Sequence, residues 1–147
     1  MPVTRDRTNP PGEPSLDMRK VGEEVERYCS TYWHPDRPKP VVNAVEGRDR
    51  NWWGTPRAKR PGVYVLYSAD GKLGYIGKAS LRSTMGKRLY AHFEGGGGTQ
   101  GPLNDCTHYV QFIVVSQAHL APALEECLIG RLNPPWNTLG SRAPVAV

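Results

Sequence analysis

The stretch GVYVLYSADGKLGYIGK, residues 62–78, contains two runs of alternating apolar residues separated by a turn sequence. Asp70-Gly71 lies at its centre, and this dipeptide favours a tight turn between two paired strands. We therefore predict a β-hairpin with strands over 62–68 and 72–77 and a turn at 69–71. A tyrosine and a glycine recur in both strands, and a lysine follows the second one. The recurrence raises the question of what these residues do together.

The chain after the hairpin predicts a small α+β domain. We expect a helix over 81–94, a third strand over 108–116 and a second helix over 119–133. Four apolar residues at helical spacing define the buried side of the first helix: Leu81, Met85, Leu89 and Phe93. Pro134-Pro135 would end the second helix, because proline removes backbone donors. The order β-β-α-β-α predicts a three-stranded antiparallel sheet flanked by helices over residues 61–140.

The residues outside this domain predict two tails, a helix, a connector and a loop. Residues 1–15 contain four prolines among polar residues and are expected to form a disordered tail, and residues 141–147 form a C-terminal tail. Apolar residues at helical spacing predict an N-terminal helix over 16–33, a candidate dimer or DNA-clamp element. The connector that follows, up to residue 60, is basic and aromatic. Either its tryptophans pack on the domain and its cations are solvated, or it is an arm that contacts phosphates. Four consecutive glycines at 95–98 predict a flexible loop.

The bulk composition indicates a soluble, basic protein with a single core. The 147 residues carry a net charge of +5, which makes a polyanionic partner plausible. No apolar run approaches the roughly 20 residues that cross a bilayer, and the N-terminus has no signal-peptide core. We expect a cytoplasmic location and no membrane partner. Three widely spaced cysteines argue against a disulfide framework and a zinc site, so we expect free thiols.

Five sequence elements, in one order, resemble the GIY-YIG nuclease family over roughly residues 61–138. They are G-V-Y at 62–64, Y-I-G at 75–77 followed by Lys78-Ala79, R-x-x-x-H at 88–92, E-x-x-L-I at 125–129, and P-x-W-N at 134–137. The resemblance implies an enzyme that hydrolyses phosphodiester bonds. Such a reaction needs an activated water, a counter-charge for the transition state and help for the leaving oxygen.

The resemblance implies roles for the hairpin residues. Tyr64 is the family's candidate general base. Because a tyrosine ordinarily has a pKa of about 10, it needs a nearby cation or a metal-bound water to act at neutral pH. Lys78 is expected to supply that positive charge, and Tyr75 to orient the phosphate or the attacking water. Gly62 and Gly77 would permit close approach of the backbone.

The helix after the hairpin carries two further candidates. Arg88 and His92 are four residues apart and share one helix face. A guanidinium suits a phosphate that gains charge, and the histidine could bind a phosphate oxygen or transfer a proton. Arg82 is the alternative arginine, because residues 83–85 look like an insertion relative to shorter members of the family.

The last helix is expected to supply the metal ligand. Glu125 would hold one Mg²⁺ or Mn²⁺ ion, since magnesium prefers oxygen ligands and keeps several waters. Glu126 lies about 100° further round the helix and is expected to face solvent. Asn137 either supports the site or fixes the turn after the two prolines.

Together these features predict a divalent-metal-dependent endonuclease that acts on DNA. The motifs favour the restriction or mobile-element type. A repair-type structure-selective nuclease, an RNA nuclease and a non-catalytic nucleic-acid-binding module remain alternatives, and a homodimer is one expected arrangement. Four cations near the site are expected to bind nucleic acid: Arg57, Lys59, Arg60 and Lys87.

Overall fold

The computed structural model describes residues 7–94 and 102–138, which form a mixed α+β fold around the hairpin. The five strands are, in chain order, β1 (Val41–Val42), β2 (Glu46–Gly47), β3 (Gly62–Tyr67), β4 (Leu73–Ala79) and β5 (Tyr109–Val114). β3 pairs antiparallel with β4 on one side and with β5 on the other. The predicted α+β class, the hairpin and the third strand are therefore confirmed.

The sheet has five strands instead of the predicted three. β1 and β2 come from the connector, and both pair antiparallel with β5. The path through the sheet runs β1-β5-β3-β4, with β2 beside β5. These two-residue strands are too short to leave an alternating pattern in the sequence. They pair with the side of β5 that β3 leaves free. At the other end of the strand order lies β4, which pairs with β3.

Four α-helices complete the described residues. They are α1 (Leu16–Tyr32), α2 (Met85–Glu94), α3 (Pro102–Cys106) and α4 (Ala121–Leu132). A 3-10 turn at Ala118–Leu120 leads into α4, and another at Pro135–Thr138 follows it. None of the helices in the described ranges is long and apolar enough to cross a membrane.

The start of α2 corrects the prediction of a helix from residue 81. The helix begins at Met85, and Thr84 Oγ1 accepts a hydrogen bond from the Lys87 amide, as an N-cap residue does. Leu81 lies in the preceding turn with 72% of its surface exposed, so it does not belong to the buried stripe. Arg82 has a positive φ of 63°, which a helix does not allow.

The sheet is covered on both faces, and two hydrophobic clusters result. α1 and α4 pack on the face that carries Val63, Val65 and Ile76. α2 packs on the opposite face, against Tyr64 and Phe112. Each face is apolar because alternate residues of a strand point to opposite sides.

Two expectations about the N-terminal region do not hold. Val21 and Val25, in the apolar stripe of α1, are buried in the core of the domain, so this part of the stripe is not free to form a dimer interface. Residues 7–15, predicted as part of a disordered tail, contact the domain. Arg7 forms an ion pair with Asp49, and the Ser15 hydroxyl caps α1 and donates to the Gly71 carbonyl.

Some predicted segments lie wholly or partly outside the described residues. These are the glycine run at 95–98, the first six residues of the N-terminal tail and the C-terminal tail at 141–147. The three cysteines lie within the described residues, and they form no disulfide bond there.

Candidate active site

Tyr64 lies in the middle of β3, with its ring packed over the backbone of Gly77 in the neighbouring strand. The two residues are directly opposite each other in the β3–β4 pair. A Cβ atom at position 77 would overlap the Tyr64 ring, so only glycine leaves room for it. The tyrosine is 0% exposed. The recurrence of tyrosine and glycine in the hairpin thus has a packing reason.

Gly62, at the start of β3, also accommodates close neighbours. A Cβ atom there would overlap the carbonyl oxygen of Ile113 and crowd the side chain of Met85. Met85 is the first residue of α2, and it is fully buried. Gly62 therefore leaves room for Met85 to pack against the sheet, and this contact positions the beginning of α2.

α2 brings His92 to the hydroxyl of Tyr64. The His92 Nε2 atom lies 3.0 Å from the Tyr64 hydroxyl oxygen, within hydrogen-bond distance. The Tyr75 ring lies beside both residues, with centroid distances of 5.5 Å to His92 and 6.2 Å to Tyr64. The two tyrosines and the histidine thus form one aromatic cluster on the α2 face of the sheet.

Burial and charge set the protonation states of this cluster. Burial raises the pKa of Tyr64 above its ordinary value, and Tyr75 raises it further, while the charge of Arg88 and a hydrogen bond with it act in the opposite direction. Burial lowers the pKa of His92, and so does the positive charge of Arg88. At pH 7 Tyr64 is therefore a neutral phenol and His92 a neutral imidazole.

Arg88, and not Arg82, lies beside the aromatic cluster. The Arg88 guanidinium acts on Tyr64, Tyr75 and His92 by its charge. Arg82 lies three residues before α2 in an exposed turn. The helical spacing of Arg88 and His92 thus places both on the flank of α2 that faces β4.

Glu125 approaches the site from the other face of the sheet. It lies on α4 and is half-buried, whereas Glu126 is exposed. Burial raises the pKa of Glu125, and the positive charges of Lys78 and Arg88 oppose this effect. Lys78 stands opposite Val63 in β4, so it points to the α4 face. The charged residues from both faces therefore meet around β4.

Asn137 joins the 3-10 turn after α4 to the same strand. Its side-chain Nδ2 donates to the Ile76 carbonyl at 2.8 Å, and its Oδ1 accepts from the Ile76 amide at 2.9 Å. The asparagine therefore completes the hydrogen bonding of β4 between Tyr75 and Gly77. The Asn137 amide also donates to the Pro134 carbonyl at 3.3 Å, so the contacts agree with both of its predicted roles, support of the site and fixing of the turn.

We expect Asn137→Ala to lower the free energy of unfolding by about 1–3 kcal/mol, because both backbone groups of Ile76 lose their partners. Urea unfolding measures the effect. Asn51→Ala is the control, since Asn51 is exposed, and it should change stability by less than about 0.5 kcal/mol. Equal stabilities of the two variants would contradict the role of Asn137.

The predicted nucleic-acid-binding cations differ in their surroundings. Arg57 is partly buried, forms an ion pair with Glu46, and lies 6.0 Å from the Phe112 ring, so it has a structural role. Lys59, Arg60 and Lys87 are exposed. They remain available to a ligand on the α2 side of the molecule.

The two tryptophans of the connector differ in their surroundings, and the interpretation of the connector as a phosphate-contacting arm stays a prediction. Trp52 is buried and packs edge-on against Phe93, whereas Trp53 is 55% exposed.

Trp136 has no role in the predictions from sequence, and its ring lies over Gly74 of β4. The sequence contains a signal for this residue, because Trp136 is part of the P-x-W-N element and directly precedes Asn137.

The hairpin, the two helices that flank it and the motif residues on them define a domain of the GIY-YIG class. More narrowly, the chain belongs to the UvrC-like GIY-YIG domain family, whose model matches residues 60–138. The match covers more than half of the chain.

The similar proteins carry one name. UvrABC system protein C of Pseudomonas aeruginosa (strain LESB58) is 34% identical over 84 residues, which are 56% of this chain and 13% of that protein. The protein of the same name from Koribacter versatilis (strain Ellin345) is 36% identical over 80 residues, 54% of this chain and 13% of the relative. The chain therefore spans about an eighth of the length of these curated relatives.

Proposed function

We propose that the chain is a divalent-metal-dependent endonuclease that hydrolyses phosphodiester bonds in DNA. The observation that carries the proposal is the convergence of side chains from both faces of the sheet around β4. Tyr64 and His92 form a hydrogen-bonded pair at 3.0 Å, and Glu125 interacts with the charges of Lys78 and Arg88. This convergence combines a proton acceptor, two cations and a carboxylate, which are the groups that phosphodiester hydrolysis requires.

The proton of the attacking water would pass through Tyr64 to His92. A neutral phenol is a poor base, and burial raises the pKa of Tyr64 further from neutrality. A neutral imidazole at 3.0 Å can accept the phenol proton through Nε2 while the phenol oxygen takes the proton of water. The burial of Tyr64 and its contact with His92 thus favour a relay in which His92 is the final proton acceptor.

Arg88 and Lys78 would stabilise the negative charge that develops on the phosphate. A guanidinium binds two phosphate oxygens in its plane, and an ammonium acts as a point charge. Arg88 is exposed, so the phosphate can reach it from solvent. Tyr75, partly exposed beside His92, would orient the phosphate or the water.

Glu125 is the residue that would hold a metal ion. Burial raises the pKa of Glu125, although the positive charges of Lys78 and Arg88 act in the opposite direction. A further positive charge nearby would therefore stabilise its anionic form. The described residues contain no group of three or more His, Cys, Asp and Glu side chains suited to a metal. A single carboxylate fits Mg²⁺ or Mn²⁺, which keep several waters and bind substrate phosphates. Such an ion supplies positive charge to the phosphate oxygens.

The comparisons favour one type of nuclease among those that the sequence left open. The motifs alone favoured a restriction or mobile-element enzyme. The family match and the relatives are of the UvrC type. We therefore propose a repair-type nuclease that selects DNA by its structure, with the restriction type and RNA cleavage as the alternatives.

A cleavage assay with several substrates tests the proposal. The chain is incubated with supercoiled plasmid, branched DNA, single-stranded DNA and RNA, in magnesium or with a chelator. We expect cleavage of DNA in magnesium and none with the chelator. Binding without cleavage of any substrate would instead identify a nucleic-acid-binding module.

Arg88→Ala should lower the single-turnover rate by about 10²-fold or more, because a group that stabilises the developing charge is removed. Arg82→Ala is the matched control. It removes the same side chain from an exposed turn and should leave the rate within about threefold of wild type. If Arg82→Ala has the larger effect, the alignment of the motif across residues 83–85 is wrong.

The pH dependence of the cleavage rate distinguishes two mechanisms. In one, Tyr64 passes its proton to His92, and in the other, Tyr64 must ionise before it accepts the proton of water. The pKa of His92 lies below its ordinary value of 6.5, so the neutral form predominates at pH 7 and above. The rate should rise as His92 loses its proton and should then be level from about pH 7 to 9. A rate that climbs tenfold per pH unit up to pH 9 would mean that Tyr64 itself must ionise.

A further inference from the structure

A cavity of about 660 Å³ opens between the connector and α2, and its lining does not include the catalytic candidates described above. Aromatic rings and two lysines line it, among them Trp52, Trp53, Tyr90, Phe93, Lys59 and Lys87. A volume of this size is typical of pockets that hold small organic groups. We call this cavity the α2 pocket.

The α2 pocket and the candidate active site lie on opposite flanks of one helix. Successive residues of a helix are rotated by about 100°, so Tyr90 points about 200° away from both Arg88 and His92. The helix with its side chains is about 10 Å across. Three nucleotides at about 3.4 Å each span this width. A strand whose phosphate contacts Arg88 can therefore place a nearby base at the pocket.

The aromatic wall of the pocket is held rigidly. Trp52 is buried, and its indole N–H donates to the Arg48 carbonyl at 2.8 Å. Its ring packs edge-on against Trp53 at a centroid distance of 5.5 Å. Trp53 is nevertheless 55% exposed, and Tyr90 is 63% exposed. Packing within the domain does not explain why two large rings remain open to solvent beside a cavity.

The charge of the pocket favours a ligand with phosphates. Lys59 and Lys87 are exposed residues of its lining. The carboxylate of Asp49 also lines the pocket, but it is engaged in ion pairs with Arg7 and Arg48. Glu94 is the remaining acidic residue of the lining. Exposed aromatic rings next to cations are the arrangement by which proteins stack bases and hold the strand backbone.

We propose that the α2 pocket binds an unpaired nucleobase of the DNA strand that the neighbouring site cuts, with Trp53 and Tyr90 as the stacking rings. This inference rests on the proposed function, since it takes the strand at Arg88 to be a substrate. It also gives the enzyme a means to select DNA with unpaired bases. A fully paired duplex keeps its bases stacked inside the helix and out of the reach of the pocket.

Fluorescence anisotropy with the full chain, in calcium, tests the proposal. The probes are a labelled dodecathymidylate, a duplex with one bulged thymidine and the same duplex fully paired. Trp53→Ala should weaken binding to the first two probes by about tenfold, as expected for loss of one base–aromatic stack. Binding to the paired duplex should change by less than about twofold. Tyr90→Ala should act in the same direction.

The control variant is Tyr32→Ala, which removes an aromatic ring that is 71% exposed on α1. It should bind all three probes as wild type does. If Trp53→Ala and Tyr90→Ala also bind the unpaired probes as wild type does, the proposal is overturned, whether or not the chain cuts DNA. If the wild type cuts no DNA but Trp53→Ala still loses affinity for the unpaired probes, the base pocket stands and the proposed nuclease fails.

Discussion

Tyr64→Phe should lower the single-turnover rate of DNA cleavage by about 10²–10⁴-fold, the usual contribution of general acid–base catalysis. The variant keeps the ring that packs over Gly77 and removes one hydroxyl. That hydroxyl is the group that lies 3.0 Å from His92. Its loss would break the proposed path of the proton from water to the imidazole. Affinity for DNA should be unchanged, because phosphate contacts dominate it.

Tyr67→Phe is the matched control for this variant. Tyr67 is also fully buried in β3, and its hydroxyl donates to Gln111 Oε1 at 2.6 Å, in a different part of the molecule. Its loss should lower stability by about 1–2 kcal/mol and leave the cleavage rate unchanged. Rates are measured with saturating enzyme in magnesium, and binding is measured in calcium. A wild-type rate for Tyr64→Phe would make Tyr64 a packing residue only.

The sequence predicts the core of the fold because its signals there are local. The turn at Asp70-Gly71 and the alternation on either side of it specify the β3–β4 pair. The apolar spacing specifies α2 from Met85 onward and α4. The short strands β1 and β2 leave no such signal, since two residues have no period. Leu81 continues the helical spacing by coincidence, and the cap at Thr84 begins α2 one turn later.

The sequence predicts which residues belong to the candidate site, but it does not predict how they are arranged in space. The motifs identify Tyr64, Arg88 and Glu125, but no local pattern tells which face of the sheet each residue reaches. Lys78 is predicted to supply the charge that assists Tyr64. In the structure the charge of Arg88 lowers the pKa of Tyr64, and the charge of Lys78 lowers that of Glu125, both against the effect of burial. The direction of each pKa shift depends on burial, which only the tertiary structure shows.

Glu125→Gln should lower the cleavage rate by about 10³-fold or more, because several kcal/mol of charge stabilisation would be lost with the proposed metal ligand. The variant should fold at least as well as wild type. Burial raises the pKa of Glu125 in the folded state, so its ionised form costs stability above its unfolded pKa, and this cost persists at pH 7. A neutral glutamine of the same shape removes that cost.

Glu126→Gln is the matched control, since it makes the same chemical change at the next, exposed position of α4. It should leave both the cleavage rate and the melting temperature close to those of wild type. A loss of cleavage in Glu126→Gln equal to that in Glu125→Gln would mean that the metal ligand is misassigned. A lower melting temperature for Glu125→Gln alone would contradict the pKa argument.

The most direct measurement is the single-turnover cleavage of DNA by the wild type, Glu125→Gln and Glu126→Gln, side by side in magnesium. The substrate is the one that the wild type cuts fastest, and binding of each protein to it is measured in calcium. We expect equal binding by all three proteins, rapid cleavage by the wild type and Glu126→Gln, and no detectable cleavage by Glu125→Gln. Undiminished cleavage by Glu125→Gln would contradict the proposed site.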